Sequence, residues 1–397
     1  VFEETKQYIF LVIFLLVIFA FILSVLITYV AYNLKFIPIT FLIPLILSVY
    51  EFILSNFIYG FPWLSFSLAI SGNDKLLLLI NNYGTLITSY LVLQFFCLPY
   101  LFFEKFKFNY KSIIFLNFLF LPLIIVLIVN SSYIKKNNSL EKNINVELFQ
   151  LNFKNNLNDS NLNDRLKKIS NNIINSSSDI LIFAENNFPL IINDKNLEIL
   201  KYSLKKDQVL IIGGTRLEKS KYYNTLVNIK NNQISYFDKK ILVPFGEFLP
   251  LRSFFTFLEY FSGPNDYNVG DKKRIIKINN NISYIPVICY EIIFYWKLVD
   301  NINLNSDLII NITNDIWFGK YLGPYQHFYH SKLRAAEIGK PLIRVSNNGI
   351  SAIFNENGNN LISTKLNEEK NIKYLLNANS KKNFYKTHNY LKLYYML

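Results

Sequence analysis

The stretch Ile282-Ser283-Tyr284-Ile285-Pro286-Val287-Ile288-Cys289-Tyr290-Glu291 decides how this chain is read. A strand-like run closes on a cysteine, and a carboxylate follows two positions later. A lone thiol at the end of a hydrophobic strand beside a carboxylate is a candidate nucleophile. The plainer alternative is a buried Cys that packs as a small hydrophobe.

Working outward from Cys289, short β-like runs alternate with polar segments. Strands are expected at Val146–Leu151, Ile180–Ala184, Val209–Gly213, Thr225–Ile229, Ile282–Cys289, Leu308–Thr313, Ile343–Ser346 and Ser351–Asn355. Helices are expected at Asn161–Ser176, Asp194–Leu204 and Gln326–Ile338, the last stopping ahead of Lys340-Pro341 as a helix should. Alternating strands and helices argue for an α/β domain over residues 143–380, and periodicity goes no further.

The rest of the chain differs in kind. Of its 397 residues 51% are hydrophobic, and residues 1–134 hold nearly continuous apolar runs. A break this sharp implies a membrane part and a soluble part. Four runs are read as spans, at about 8–32, 36–58, 76–102 and 112–134, the second interrupted by Pro38, Pro44 and Glu51. The first is too long for a cleaved signal peptide. The connector Glu104–Lys111 carries Lys105, Lys107 and Lys111 and is expected on the cytoplasmic side. Everything from Lys135 onward then lies on the opposite side. The first residue is Val, so further spans are expected upstream, and residues 381–397 read as the start of a last membrane helix.

The formal charge of +13 comes from Lys scattered among Asn and Ile. No basic stripe interleaves with aromatics, which argues against a nucleic-acid partner. A basic surface next to the membrane favours anionic lipid. Cys97 lies in an apolar run, so the soluble part has one thiol and no internal disulfide. His327 and His330 are three apart on a helix, but metal sites need three or four ligands and none accompanies them. The loop Tyr59-Gly60-Phe61-Pro62-Trp63 reads equally as an interfacial aromatic belt or as the wall of a lipid entrance.

Two upstream segments weigh on Cys289: Phe183-Ala184-Glu185, and Lys239-Lys240-Ile241-Leu242-Val243-Pro244-Phe245-Gly246-Glu247. They give the order Glu, Lys, Cys at spacings of 54 residues (185 to 239) and 50 residues (239 to 289). With Leu242–Pro250, Ile288-Cys289-Tyr290-Glu291, Thr313-Asn314-Asp315-Ile316-Trp317-Phe318-Gly319 and Arg344–Ser351 in order, the chain resembles the nitrilase (carbon–nitrogen hydrolase) superfamily. Within it, the chain resembles the membrane-bound apolipoprotein N-acyltransferase branch, from Gly60 to about residue 380.

The resemblance implies a multi-span transmembrane helical part followed by an α/β nitrilase-like α-β-β-α sandwich. It implies Glu185 as general base, Lys239 as holder of the oxyanion and Cys289 as nucleophile. Registration on Val243–Glu247 selects Lys239 over Lys240. Glu247 is implied as an auxiliary carboxylate beside the Lys–Cys pair, and the backbone N–H of Tyr290 as a second oxyanion donor. Glu291, Asn314 and Trp317 are implied as auxiliary or pocket residues, with pocket lining weighted above core packing for Trp317. Phe183-Ala184 replaces the family's usual Trp-Pro before the Glu.

The implied activity takes an acyl chain from a phospholipid and passes it to the N-terminal diacylglyceryl-cysteine of an apolipoprotein. It needs no cofactor and no metal. The implied setting is the bacterial inner membrane, as a monomer, with the catalytic domain on the periplasmic side. A membrane-anchored amidase or nitrilase and a non-catalytic membrane scaffold are the alternatives.

Overall fold

The computed structural model describes residues 39–56, 59–97, 143–154, 159–253, 265–300 and 302–377, with residue 259 and scattered positions between 14 and 33. The chain divides into two compact units, Val1–Asn137 and Asn138–Leu397.

In the first unit, helix α1 (Ile39–Asn56) carries Pro44 inside it. Helix α2 (Leu77–Cys97) is broken at Gly84, where φ is 73°. Between them lies a 3-10 turn, Phe66–Ile70. Glu51 of α1 is buried. A buried carboxylate needs donors to replace water. Here Ser65 Oγ donates to it at 2.6 Å, Ser89 Oγ at 3.1 Å and the Phe66 N–H at 3.3 Å. The interruption expected at Glu51 is thus a tie between α1, the 3-10 turn and α2. In the Tyr59–Trp63 loop the rings of Phe61 and Trp63 stack with centroids 6.3 Å apart.

Among the described residues no helix is long and apolar enough to cross a membrane. The expected span at 112–134, most of that at 8–32, the Lys-rich 104–111 connector and the C-terminal segment 381–397 lie outside the described residues.

The second unit is a sandwich of two six-stranded sheets. The first has the order β12-β1-β2-β3-β4-β5 and the second β11-β10-β9-β8-β7-β6. The first sheet holds β1 (Asn143–Gln150), β2 (Ile180–Phe183), β3 (Val209–Glu218), β4 (Lys221–Lys230), β5 (Gln233–Asp238) and β12 (Lys370–Asn377). The second holds β6 (Ile276–Lys277), β7 (Ser283–Ile288), β8 (Leu308–Thr313), β9 (Leu342–Ser346), β10 (Ala352–Phe354) and β11 (Asn360–Ser363). Parallel pairs make each centre, β1–β2–β3 and β7–β8–β9.

Side-chain alternation explains the layers. Successive strand residues face opposite sides. Ile180 and Ile182 of β2 join the core between the sheets, with Ile211, Tyr284, Ile288, Ile310 and Val345. Leu181 and Phe183 face outward into a second core with Leu166, Ile169, Ile173, Leu197 and Leu200. Those come from α3 (Asp159–Asn175) and α4 (Asp194–Ser203), which cover the first sheet. Helix α5 (Leu322–Ile338) packs on the outer face of the second, where its Ser331 meets Asn311 of β8 and Arg344 of β9. The α-β-β-α expectation and the α/β class therefore describe this unit. Strands β5, β6, β11 and β12 have no counterpart among the expected runs, and the expected runs Val209–Gly213 and Thr225–Ile229 fall short of β3 and β4. Their hairpin turns on Lys219 and Ser220, and β4–β5 turns on Asn231 and Asn232, each pair with positive φ. Such turns suit two-residue hairpins, but carry no glycine to announce them.

Candidate active site

Glu185, Lys239 and Cys289 each follow the C-terminal end of a strand, and the sandwich brings them together. Glu185 comes two residues after β2, Lys239 directly after β5 and Cys289 directly after β7. All three are buried. The ammonium of Lys239 lies 2.8 Å from Oε1 of Glu247 and 3.7 Å from Oε1 of Glu185. Lys240, its neighbour, is only half-buried and gives its backbone N–H to Glu291 at 2.8 Å.

The Glu185 loop makes a close pass over β3. A Cβ on Gly213 would come within 2.6 Å of the Glu185 Cα, so only glycine fits beneath it. Oε2 of Glu185 accepts the Asn314 N–H at 2.8 Å, and Oε1 accepts from the Asn224 amide at 2.8 Å. The same amide donates to Oε1 of Glu247 at 2.8 Å. Oε2 of Glu247 is held by the Val243 N–H at 2.8 Å. One ammonium and one amide thus order two carboxylates. Phe183 and Ala184, at the place of the family's usual Trp-Pro, are both fully buried, and the Phe183 ring stacks on Phe149 at 4.3 Å.

Electrostatics follow from this arrangement. Burial raises the Glu185 pKa, the Lys239 charge opposes the rise, and Glu247 adds to it. The Cys289 thiol is also pushed up, by burial first and then by the Glu185 charge, against Lys239 and a hydrogen bond with Thr313. Burial works against the Lys239 charge, but Glu247 and Glu185 outweigh it and hold the ammonium protonated. The resting site therefore favours a neutral thiol beside a fixed cation. Moving the thiol proton onto a carboxylate with a raised pKa is easier than onto an ordinary one.

Cys289 has φ of 50°, the left-handed region that a residue with a Cβ seldom enters. It opens the 3-10 turn Cys289–Ile293. Tyr290 is buried, its ring edge-to-face with Phe294 at 5.2 Å.

Glu291, expected as an auxiliary or pocket residue, is fully buried and lines no open space. It accepts two bonds from Arg274 at 2.7 Å and one each from the N–H groups of Lys240, Ile241 and Ile288 at 2.8, 3.1 and 2.9 Å. Arg274 holds its carboxylate below the ordinary pKa despite burial. Glu291 thus clamps the Lys239 segment to the end of β7, just before Cys289. Asn314 acts on Glu185 through its backbone, and Trp317 is half exposed on the 3-10 turn Asp315–Phe318.

His327 and His330 are both buried on α5. His327 meets Asp315 and the Cys289 carbonyl. Among the described residues no group of His, Cys, Asp or Glu could hold a metal ion.

A family model of carbon–nitrogen hydrolases matches residues 148–380, which takes in every one of these side chains. The chain belongs to the carbon–nitrogen hydrolase family. The chain is 36% identical over 329 residues to a protein named apolipoprotein N-acyltransferase from Wigglesworthia glossinidia brevipalpis, over 78% of this chain and 63% of the relative. It is 38% identical over 202 residues to one of the same name from Rickettsia prowazekii (strain Madrid E), over 48% of this chain and 40% of that one. The chain thus spans less than two thirds of the length of these relatives. Among solved structures, a CN-hydrolase superfamily protein from Xanthomonas campestris aligns with 59% of this chain and 90% of its own, at 14% identity and a TM-score of 0.45.

Asn224, Asp315, Arg344 and Arg274 went unassigned in the sequence, and His327 was weighed only as a metal ligand. Asn224 precedes the Thr225 at which β4 was expected to begin. Asp315 and Arg344 sat inside two of the quoted motifs with no chemistry attached.

Proposed function

We propose that this chain moves an acyl group from a phospholipid to the α-amino group of a diacylglyceryl-cysteine at a lipoprotein N-terminus, through a thioester on Cys289. The observation that carries this reading is Lys239, a buried ammonium ordered by Glu185 and Glu247 beside the Cys289 thiol. The names of the relatives and the apolar first 134 residues support the lipid substrates.

In the first half-reaction Glu185 takes the thiol proton as sulfur attacks the ester carbonyl. Negative charge gathers on the carbonyl oxygen, where Lys239 and the Tyr290 N–H stabilise it. The C–O bond breaks, Glu185 returns its proton to the leaving oxygen, and a lyso-phospholipid departs. In the second half the neutral amine attacks the thioester. Glu185 takes an amine proton and gives it back to sulfur as the C–S bond breaks, and an amide remains.

Both substrates are lipids, which gives the apolar N-terminal part its purpose: multiple spans in a bacterial inner membrane, with the catalytic unit on the periplasmic side. The enzyme works as a monomer without metal or cofactor. Intact mass spectrometry after incubation with phospholipid vesicles tests the reading. The expected result is an acyl adduct on Cys289, discharged by a diacylated lipopeptide. An adduct only with small amides would make the chain a membrane-anchored hydrolase, and no adduct with any donor would make it a scaffold.

A further inference from the structure

Against the backbone of Cys289 lies a fully buried polar chain that the acyl-transfer chemistry leaves unused. Nδ1 of His327 is 2.7 Å from Oδ1 of Asp315, and Nε2 is 3.2 Å from the backbone carbonyl oxygen of Cys289. Arg344 donates to Oδ2 of Asp315 at 2.5 Å, and its Nη2 is 3.2 Å from His327 Nδ1. Thr313 and Ser346 add hydroxyl donors to Asp315 at 3.0 and 3.2 Å. Arg344 is fixed in turn by Asn311, Ser331 and the Ile350 carbonyl. A Cβ on Gly349 would come within 1.9 Å of Asp315 Oδ2, so glycine there leaves room for the carboxylate. Two motifs with no chemistry of their own, around Asp315 and Arg344–Ser351, thus converge on one imidazole.

That imidazole acts on the strained part of the nucleophile. A non-glycine residue at positive φ persists only where its surroundings over-determine it. The carbonyl of Cys289 is one handle by which α5 can hold that turn. The contact is a hydrogen bond only with a proton on Nε2. A doubly protonated ring supplies it and donates to Asp315 as well, but burial and the Arg344 charge lower the His327 pKa and work against that form. A neutral Nε2–H ring supplies it too, with Nδ1 facing Arg344.

We propose that His327 is a positioning residue for the nucleophile: its Nε2–H, backed by Asp315 and Arg344, holds the Cys289 carbonyl and so keeps the thiol turned toward Glu185. The proposal rests on Cys289 as the reacting thiol. It does not depend on what that thiol attacks.

Two isosteres separate the ring's two ends. In His327→Gln the amide nitrogen reaches the place of Nε2 and can still bond the Cys289 carbonyl. In His327→Asn the amide nitrogen takes the place of Nδ1, keeping Asp315 and losing Cys289. The rate of Cys289 alkylation by iodoacetamide is measured in the full chain, with acyl transfer read separately. The expected result is a fall of about tenfold in His327→Asn, the size of one lost buried hydrogen bond. His327→Gln should stay within about threefold of the unsubstituted protein. Equal rates in all three proteins, or equal losses in both variants, would overturn the proposal. Should a variant fail to fold, nitrogen-15 NMR of the unsubstituted protein decides, since the chain has 3 histidines. A protonated Nε2 on His327 supports the proposal and an unprotonated one ends it. Absence of acyl transfer with the alkylation pattern intact would sink the proposed function and leave this inference standing.

Discussion

The side-chain amide of Asn224 donates to Glu185 at 2.8 Å. Its other acceptor is Glu247, so one neutral group stands between two carboxylates that also share Lys239. Without it, the buried Glu185 and the part-buried Glu247 would face each other with one cation between them. Asn224→Ala should slow acylation of Cys289 by about tenfold to a hundredfold, a loss comparable to that of an oriented hydrogen bond at a reacting group. Asn224→Asp should be worse, because it adds a third anion. Single-turnover acylation of purified variants checks the order, and an Asp variant as active as the unsubstituted enzyme would contradict it.

Lys239 and Lys240 are adjacent in sequence and unlike in place. Lys239→Ala should cost about 10²–10³ in acylation rate, and Glu185→Gln about 10²–10⁴. Lys240→Ala should be mild, since its side chain is half-buried and its backbone N–H makes the bond to Glu291. A severe Lys240→Ala with a mild Lys239→Ala, seen in the same assay, would put the motif one residue out of register.

Cys289 stands out in the sequence as a candidate nucleophile because it closes a hydrophobic run, whereas Glu185 and Lys239 are picked out only by the resemblance of their segments to the family, Lys239 by registration on the Val243–Glu247 string that follows it. Their support was not legible, because it is assembled across the fold. Arg344 reaches Asp315 from 29 residues away in sequence, and Asn224 reaches Glu185 from 39. Edge strands were hidden for another reason. In β5 and β12 exposed polar residues alternate with few buried ones, so neither forms a hydrophobic run. The Glu185 loop depends on Gly213, a close approach that no local pattern reveals.

The shifted carboxylate sets a pH dependence. In the proposed reaction Glu185 must be ionised to accept the thiol proton, and burial holds its pKa above the ordinary value. Activity is therefore present above the folded pKa of Glu185 and lost as pH falls through it. The acidic limb of the acylation rate should lie above the ordinary carboxylate range. Glu247→Gln removes a charge that raises the Glu185 pKa, so the limb should move toward lower pH even though the maximum rate falls. An acidic limb that moves upward in this variant would rule out Glu185 as the titrating base.

The clamp at Glu291 should appear in stability. Breaking a buried ion pair by removing one partner costs about 3–5 kcal/mol, so Arg274→Met should lower the unfolding midpoint sharply. Adding Glu291→Leu should not restore it. The Lys240, Ile241 and Ile288 N–H groups would then lose their acceptor, and buried unpaired N–H groups are costly. Denaturant unfolding of the single and double variants measures this, and full recovery in the double variant would contradict the clamp.

The central claim is that one thiol, Cys289, carries the acyl group between two substrates. The most direct test is peptide mass spectrometry of the enzyme after phospholipid treatment, with and without neutral hydroxylamine, in the unsubstituted chain and in Cys289→Ser and Cys97→Ser. The account predicts a hydroxylamine-labile acyl adduct on Cys289 that persists in Cys97→Ser and vanishes in Cys289→Ser together with transfer to a diacylated lipopeptide. An adduct mapped to Cys97, or full transfer by Cys289→Ser, would contradict it.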